Sequence, residues 1–207
     1  MAKKRIVDES TVASNPGNVV FNPLVWLKFH TKLTYGVLFT VLLIAVLMTF
    51  ASFWLVLPAL VVFLPKVNYF LRYKKEHFLF GDSNGGIVIS DDPKLVAVTT
   101  NLSKYGGSYP VVKIIDYKGK SILGERIGTV ALYFGSEDEG CPHWIGFDPV
   151  PIEYATGNKK EIQAAIESYE NSQWTEIKKR LKQVPTPYQK GLYRIEEENS
   201  DWAIEND

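Results

Sequence analysis

Thirty-three consecutive positions, Leu33 to Pro65, carry no charged side chain. A helix needs about 20 apolar residues to cross a hydrocarbon core roughly 30 Å thick. A core helix of a soluble protein that is apolar on every side over this length would be unusual. A cleaved signal peptide has a shorter apolar region, placed nearer the amino terminus. The run therefore reads as membrane-embedded. As one helix it would reach about 50 Å, too long for a single span without heavy tilt. Two spans and a turn need slightly more than the run offers. The flanks Pro23–Leu27 and Val67–Leu71 supply the difference. Lys28, His30 and Lys32 can snorkel to the headgroups, and Trp26, Tyr35, Tyr69 and Tyr73 are placed as interface aromatics.

Charge favours two crossings over one. Lys and Arg accumulate on the cytoplasmic side of spans. Here both ends of the run are basic: Lys28 and Lys32 precede it, and Lys66, Arg72, Lys74 and Lys75 follow it. A hairpin puts both clusters inside, whereas a single span would strand one outside. The turn is expected near Thr49–Phe53, with Pro58 as a kink in the second helix. This predicts a multi-pass protein of a bacterial-type inner membrane, with both termini cytoplasmic and the lipid bilayer as its first partner. The formal net charge of zero hides the same asymmetry, because residues 1–75 carry +7 and the remainder −7. An acidic folded part excludes a nucleic-acid binder. The single cysteine, Cys141, excludes an intrachain disulfide and fits a reducing compartment.

The expected fold class is α+β: an N-terminal transmembrane helical hairpin, then a small antiparallel β-sheet or barrel domain with a C-terminal helix. Residues 1–22 read as a flexible tail, 23–75 as the hairpin, 76–155 as a cytoplasmic β-rich domain, 156–195 as a helix and closing strand, and 196–207 as an acidic tail. Gly81–Gly86 reads as a turn. Strands follow at Ile87–Ile89, Leu95–Thr100, Tyr109–Tyr117, Ser121–Gly124, Thr129–Phe134, His143–Phe147 and Pro151–Tyr154, the spacing of a meander or small barrel. Asn158 with Glu161 forms a capping-box-like helix start. The apolar period slips near Asn171-Ser172, which allows two helices, and Gly191–Ile195 reads as a last strand. A chain beginning near Glu76 is expected to fold by itself, since its apolar and polar residues alternate.

No standard catalytic or cofactor signature is present. Residues 81–86 lack the spacing of a dinucleotide or phosphate loop. Cys141-Pro-His143 offers a thiol and an imidazole, but two ligands do not close a zinc site. Glu137-Asp-Glu139 lacks calcium-loop spacing and, lying just before Cys141, would disfavour its thiolate. No catalytic, cofactor or metal residue is therefore assigned. The surface patch that stands out is Lys178, Lys179, Arg180 and Lys182, which could meet anionic headgroups if that helix lies against the membrane.

Phe21-Asn-Pro-Leu-Val-Trp26, Val88-Ile-Ser-Asp-Asp-Pro93, Leu95-Val-Ala-Val98, Ala131-Leu-Tyr-Phe134, His143-Trp144 and the closing Trp174, Pro185 and Gly191-Leu-Tyr193 together resemble an uncharacterised family of small bacterial membrane proteins. The resemblance implies the architecture and a bacterial origin, and it transfers no site residues. The expected function is a membrane-anchored interaction or scaffold protein with a protein partner. The alternatives are an enzyme acting on a membrane-associated substrate through Cys141 and His143, and an accessory subunit of a transporter or envelope complex.

Overall fold

Asn22-Pro23 starts the first helix by two local devices. The Asn22 side chain accepts a hydrogen bond from Leu24 N, and Pro23 occupies a first-turn position where a missing N–H costs nothing. This helix, α1, spans Pro23–Phe29 and ends at His30. The chain then bends by 115° into α2, Thr31–Phe50, and continues into α3, Phe53–Phe80. The structure is a computed structural model that describes residues 7, 13, 15–50, 53–104, 106–135 and 141–196.

Six strands follow: β1 (Asp82–Asp91), β2 (Lys94–Asn101), β3 (Pro110–Asp116), β4 (Arg126–Phe134), β5 (Gly146–Pro151) and, at the end, β6 (Gly191–Arg194). They form one antiparallel sheet in the order β5-β4-β1-β2-β3-β6, curled into a half barrel. Helices α4 (Lys159–Glu167) and α5 (Asn171–Leu181) lie between β5 and β6 in sequence, with the break where the apolar period slips. Strand alternation splits the core. Val88, Val96, Val98 and Val111 face one cluster, and Ile87, Ala97, Val112 and Ile114 face another beneath Trp174, Ile177 and Leu181 of α5.

Several local expectations give way to tertiary packing. Residues 82–86 are strand rather than turn, because Gly85 pairs with Gly128 of β4 and leaves room for the Trp174 ring. Ser121–Gly124 is a turn closed by Glu125 N donating to Ile122 O. Ile152–Tyr154 is a short 3-10 turn. The segment 15–20, expected as part of a flexible tail, is pinned along the junction of α3 and β1. Gly17, Asn18 and Val19 donate backbone hydrogen bonds to Gly81, Leu79 and Phe78 at 3.0, 3.3 and 3.1 Å. A Cβ on Gly17 would meet the Phe78 carbonyl at 2.7 Å, so this close approach requires glycine.

The largest departure concerns Trp26. It is no interface aromatic but a buried core residue, edge-on to Phe21, Phe70 and Phe78 at 5.8, 6.4 and 6.1 Å. Helix α1 is therefore part of the domain, and the flank expected to lengthen the first span is used elsewhere. Among the described residues no single helix is long and apolar enough to cross a membrane. Helix α1 and Thr31–Val46 meet that condition together, but across the 115° bend. The α+β domain, its sheet and its C-terminal helices are as expected, whereas a transmembrane hairpin is not established by these helices.

His77 sits on the last turns of α3 with its ring almost wholly buried. Its Nε2–H donates to Val130 O at 2.9 Å, leaving Nδ1 as the unprotonated nitrogen, without a partner among the described residues. Burial pushes the imidazole pKa down to about 4. A base with a lowered folded-state pKa contributes stability that is complete above its unfolded value, about 6.5, and is lost as pH falls toward about 4. Asp82, whose carboxyl is pushed up by burial, acts with the opposite sign. The His77 contribution is therefore best read at the ring itself. In the full chain with labelled histidine, the His77 ring should keep its neutral NMR signature at pH 5.5. A midpoint near 6.5 would show that the ring is solvated.

Candidate functional site

The half barrel is not closed, and its seam is where side-chain chemistry collects. On one side stands β3 with the turn into β6, and on the other β5. Lys113 of β3 reaches across and donates to Phe147 O of β5. Farther along, Ser103 bridges His143. Between these walls, α1 and α3 form the floor of a cleft of about 390 Å³. Alternation along β3 explains the mixed lining, because Lys113 and Ile115 point inward from the same strand face.

The cleft holds four ammonium groups, Lys74, Lys113, Lys118 and Lys190, against two carboxylates, Asp116 and Asp148. Lys190 pairs with Asp116, and Lys113 lies 3.6 Å from Asp148. Lys118 Nζ donates to Phe29 O at 2.9 Å. Lys74 lies over the rings of Trp26 and Tyr73, at 4.8 and 5.4 Å from their centroids. Burial lowers the Lys74 pKa, with Asp148 opposing that shift. His30 stacks on Trp26 at 3.8 Å, and its Nδ1 bonds Trp26 O at 2.9 Å. Burial also lowers its pKa, helped by Lys118 and Lys74. His30 and Lys74 both rest on the Trp26 ring. The groups present can bind and orient an anionic ligand.

A second hollow, of about 330 Å³, lies between β1, β2 and α5 and holds Arg180. That side chain is buried. Its Nη1 donates to Thr99 Oγ1 at 2.7 Å and to Thr100 O at 3.2 Å, and its Nη2 pairs with Glu176 at 2.5 Å. Of the basic residues read as a surface patch, Lys178, Lys179 and Lys182 are exposed, while Arg180 turns inward and leaves it. The helical period puts position 180 on the same face as Ile177 and Leu181, a signal that charge alone obscured.

Cys141 and His143 are not arranged as nucleophile and base. The thiol donates to the His143 carbonyl at 3.1 Å, and the imidazole Nδ1 bonds Trp144 O at 2.8 Å while the ring stacks on Tyr109. Among the described residues no three His, Cys, Asp or Glu side chains converge on a metal position. Glu137, Asp138 and Glu139 lie outside the described residues. The cleft itself escaped the sequence reading because its lysines come from α3, from β3 and the loop after it, and from the turn before β6, and only curling of the sheet brings them together.

Fold and site together define a small α+β domain on a six-stranded antiparallel half barrel, carried on two long helices and presenting a basic cleft. The chain belongs to the DUF3239 family, proteins of unknown function, whose profile matches residues 75–185, just over half of it. The resemblance to an uncharacterised family holds. No curated protein matches the sequence. A solved structure described as "a putative membrane protein from Corynebacterium diphtheriae" is similar at 18% identity and a TM-score of 0.47, over 55% of this chain and all of that one.

Proposed function

We propose that this protein is a membrane-anchored interaction module: α2 and α3 form a hairpin in the inner membrane and hold the half-barrel domain at its cytoplasmic face. One observation carries the reading. The chain leaves the domain at α1 and rejoins it on α3, where Phe70 lies in ring contact with Trp26. Whatever α2 and α3 enter, they leave on the same side, which demands an even number of crossings. Nothing in the described structure covers the outside of α2. Tyr35, Leu38, Val41, Leu42, Leu43 and Met48 are 46–71% exposed and together cover more than half of the helix circumference. A large apolar surface of this kind marks a membrane or partner contact. Helix α2 has 20 residues, about 30 Å of length, and together with α1 it reaches the length and apolarity of a crossing that, among the described residues, neither helix reaches alone. The basic flanks orient the hairpin with the domain inside.

The test uses the full chain in cells, in a Cys141→Ser background. The chain should resist extraction by alkaline carbonate. Cysteines introduced at Ser14 and at Lys120 should both escape a membrane-impermeant reagent and both react after lysis. Labelling of one and not the other from outside would overturn the round trip. Labelling of both would overturn the cytoplasmic orientation, and complete extraction would overturn the anchor.

A further inference from the structure

We propose that the seam cleft of the half barrel binds a phosphate-bearing anion, held by Lys74 and Lys118 above the Trp26 face. The inference deepens the reading as a membrane-anchored module, although the cleft's chemistry stands without it. With His30 neutral, four ammonium groups face two carboxylates, and both carboxylates are engaged by Lys113 and Lys190. Two positive charges remain, on Lys74 and Lys118. Among the described residues neither lies within ion-pair distance of a carboxylate, although Asp148, already paired with Lys113, favours the Lys74 charge from farther off. Lys74 rests on aromatic rings, and Lys118 bonds a backbone carbonyl. Burial already disfavours the Lys74 charge. An arriving anion would restore it, so free energy held against the empty cleft is released on binding.

Lysine ammoniums act as point charges that suit phosphate, and charge-assisted bonds of this kind are about twice as strong as neutral ones. The volume of about 390 Å³ admits a phosphorylated headgroup or a diphosphate and excludes a macromolecule. Position adds to this. Lys74 lies two helical turns beyond Lys66 on α3, about 12 Å along the axis from the end of the apolar run. That places the cleft at the inner edge of the headgroup layer, within reach of a lipid phosphate or of a soluble phosphate ester.

The experiment uses full-length protein in detergent. Inorganic pyrophosphate is titrated by calorimetry, with succinate as the dicarboxylate control. Separately, the protein is purified from nanodiscs of phosphatidylglycerol and phosphatidylcholine, and retained lipid is counted by native mass spectrometry. Saturable pyrophosphate binding, weakened at least tenfold in Lys74→Gln and in Lys118→Gln and unchanged in Lys178→Gln, is expected. Retention of one phosphatidylglycerol, lost in the same two variants, would identify a lipid headgroup as the source. Pyrophosphate binding without lipid retention would identify a soluble phosphate. Absence of both, equal binding in the variants, or tighter binding of succinate would overturn the proposal. Carbonate extraction reads the anchor independently, so failure of one leaves the other standing. Lys118 is exposed, so its replacement keeps the test valid even if Lys74→Gln lowers stability through lost packing on Trp26.

Discussion

A chain that begins at Glu76 is expected to show no cooperative unfolding transition. It retains every strand, but it loses Val19, Phe21, Trp26, Phe29 and Phe70, all packed on the cluster that contains Phe78 and Tyr154. It also loses the backbone bonds from Gly17, Asn18 and Val19 to the end of α3. Each large buried side chain contributes about 2–5 kcal/mol, and a domain of this size has about 5–15 kcal/mol in total. In the full chain, Trp26→Ala alone should cost about 3–5 kcal/mol. A second variant separates packing from the membrane. Replacing residues 31–69 by about eight Gly and Ser residues should restore a cooperative transition, since such a linker spans about 15 Å and Trp26 already touches Phe70. Circular dichroism melting of the three chains decides the matter. Cooperative folding of the Glu76 chain would show that α1 only decorates the domain.

Gly85→Val is the second large effect, expected to cost about 3 kcal/mol. Its Cβ would lie 2.7 Å from two carbons of the Trp174 ring, which is fully packed between Gly85 and Arg126, with the Arg126 guanidinium 4.9 Å from the ring centroid. The ring has no open side to move to, because Tyr169 meets its edge at 5.6 Å. The added methyls must therefore push α5 off β1. Combining Gly85→Val with Trp174→Leu should cost clearly less than the sum of the single changes, since the clash is between these two groups. Strict additivity in denaturant melts would sink the assignment of Gly85 as the seat of Trp174. The same contact explains why a glycine-rich stretch became a strand: two cross-strand glycines, Gly85 and Gly128, clear the surface on which Trp174 and Ile152 lie.

Local chemistry was legible in the sequence wherever a residue acts on its neighbours. Asn22-Pro23 and Asn158 start helices by capping their own first turns. Runs of Val, Leu, Ala and Ile made β2 and β3 strands, because a pleated strand between two cores is apolar on both faces. The slip at Asn171-Ser172 broke α4 from α5, and Gly191-Leu-Tyr-Arg194 closed the sheet. The 33 uncharged residues also stand in the sequence alone. Tertiary structure alone decided three matters. Trp26 went into the core instead of an interface because Phe21, just before α1, and Phe70 and Phe78, both on the distant α3, meet around it. Arg180 left the surface because its helix face points at Thr99 and Thr100. The basic cleft exists because a sheet that curls without closing brings Lys74, Lys113, Lys118 and Lys190 to one seam. Sequence spacing reports what is near along the chain, and charge density depends on what is near in space.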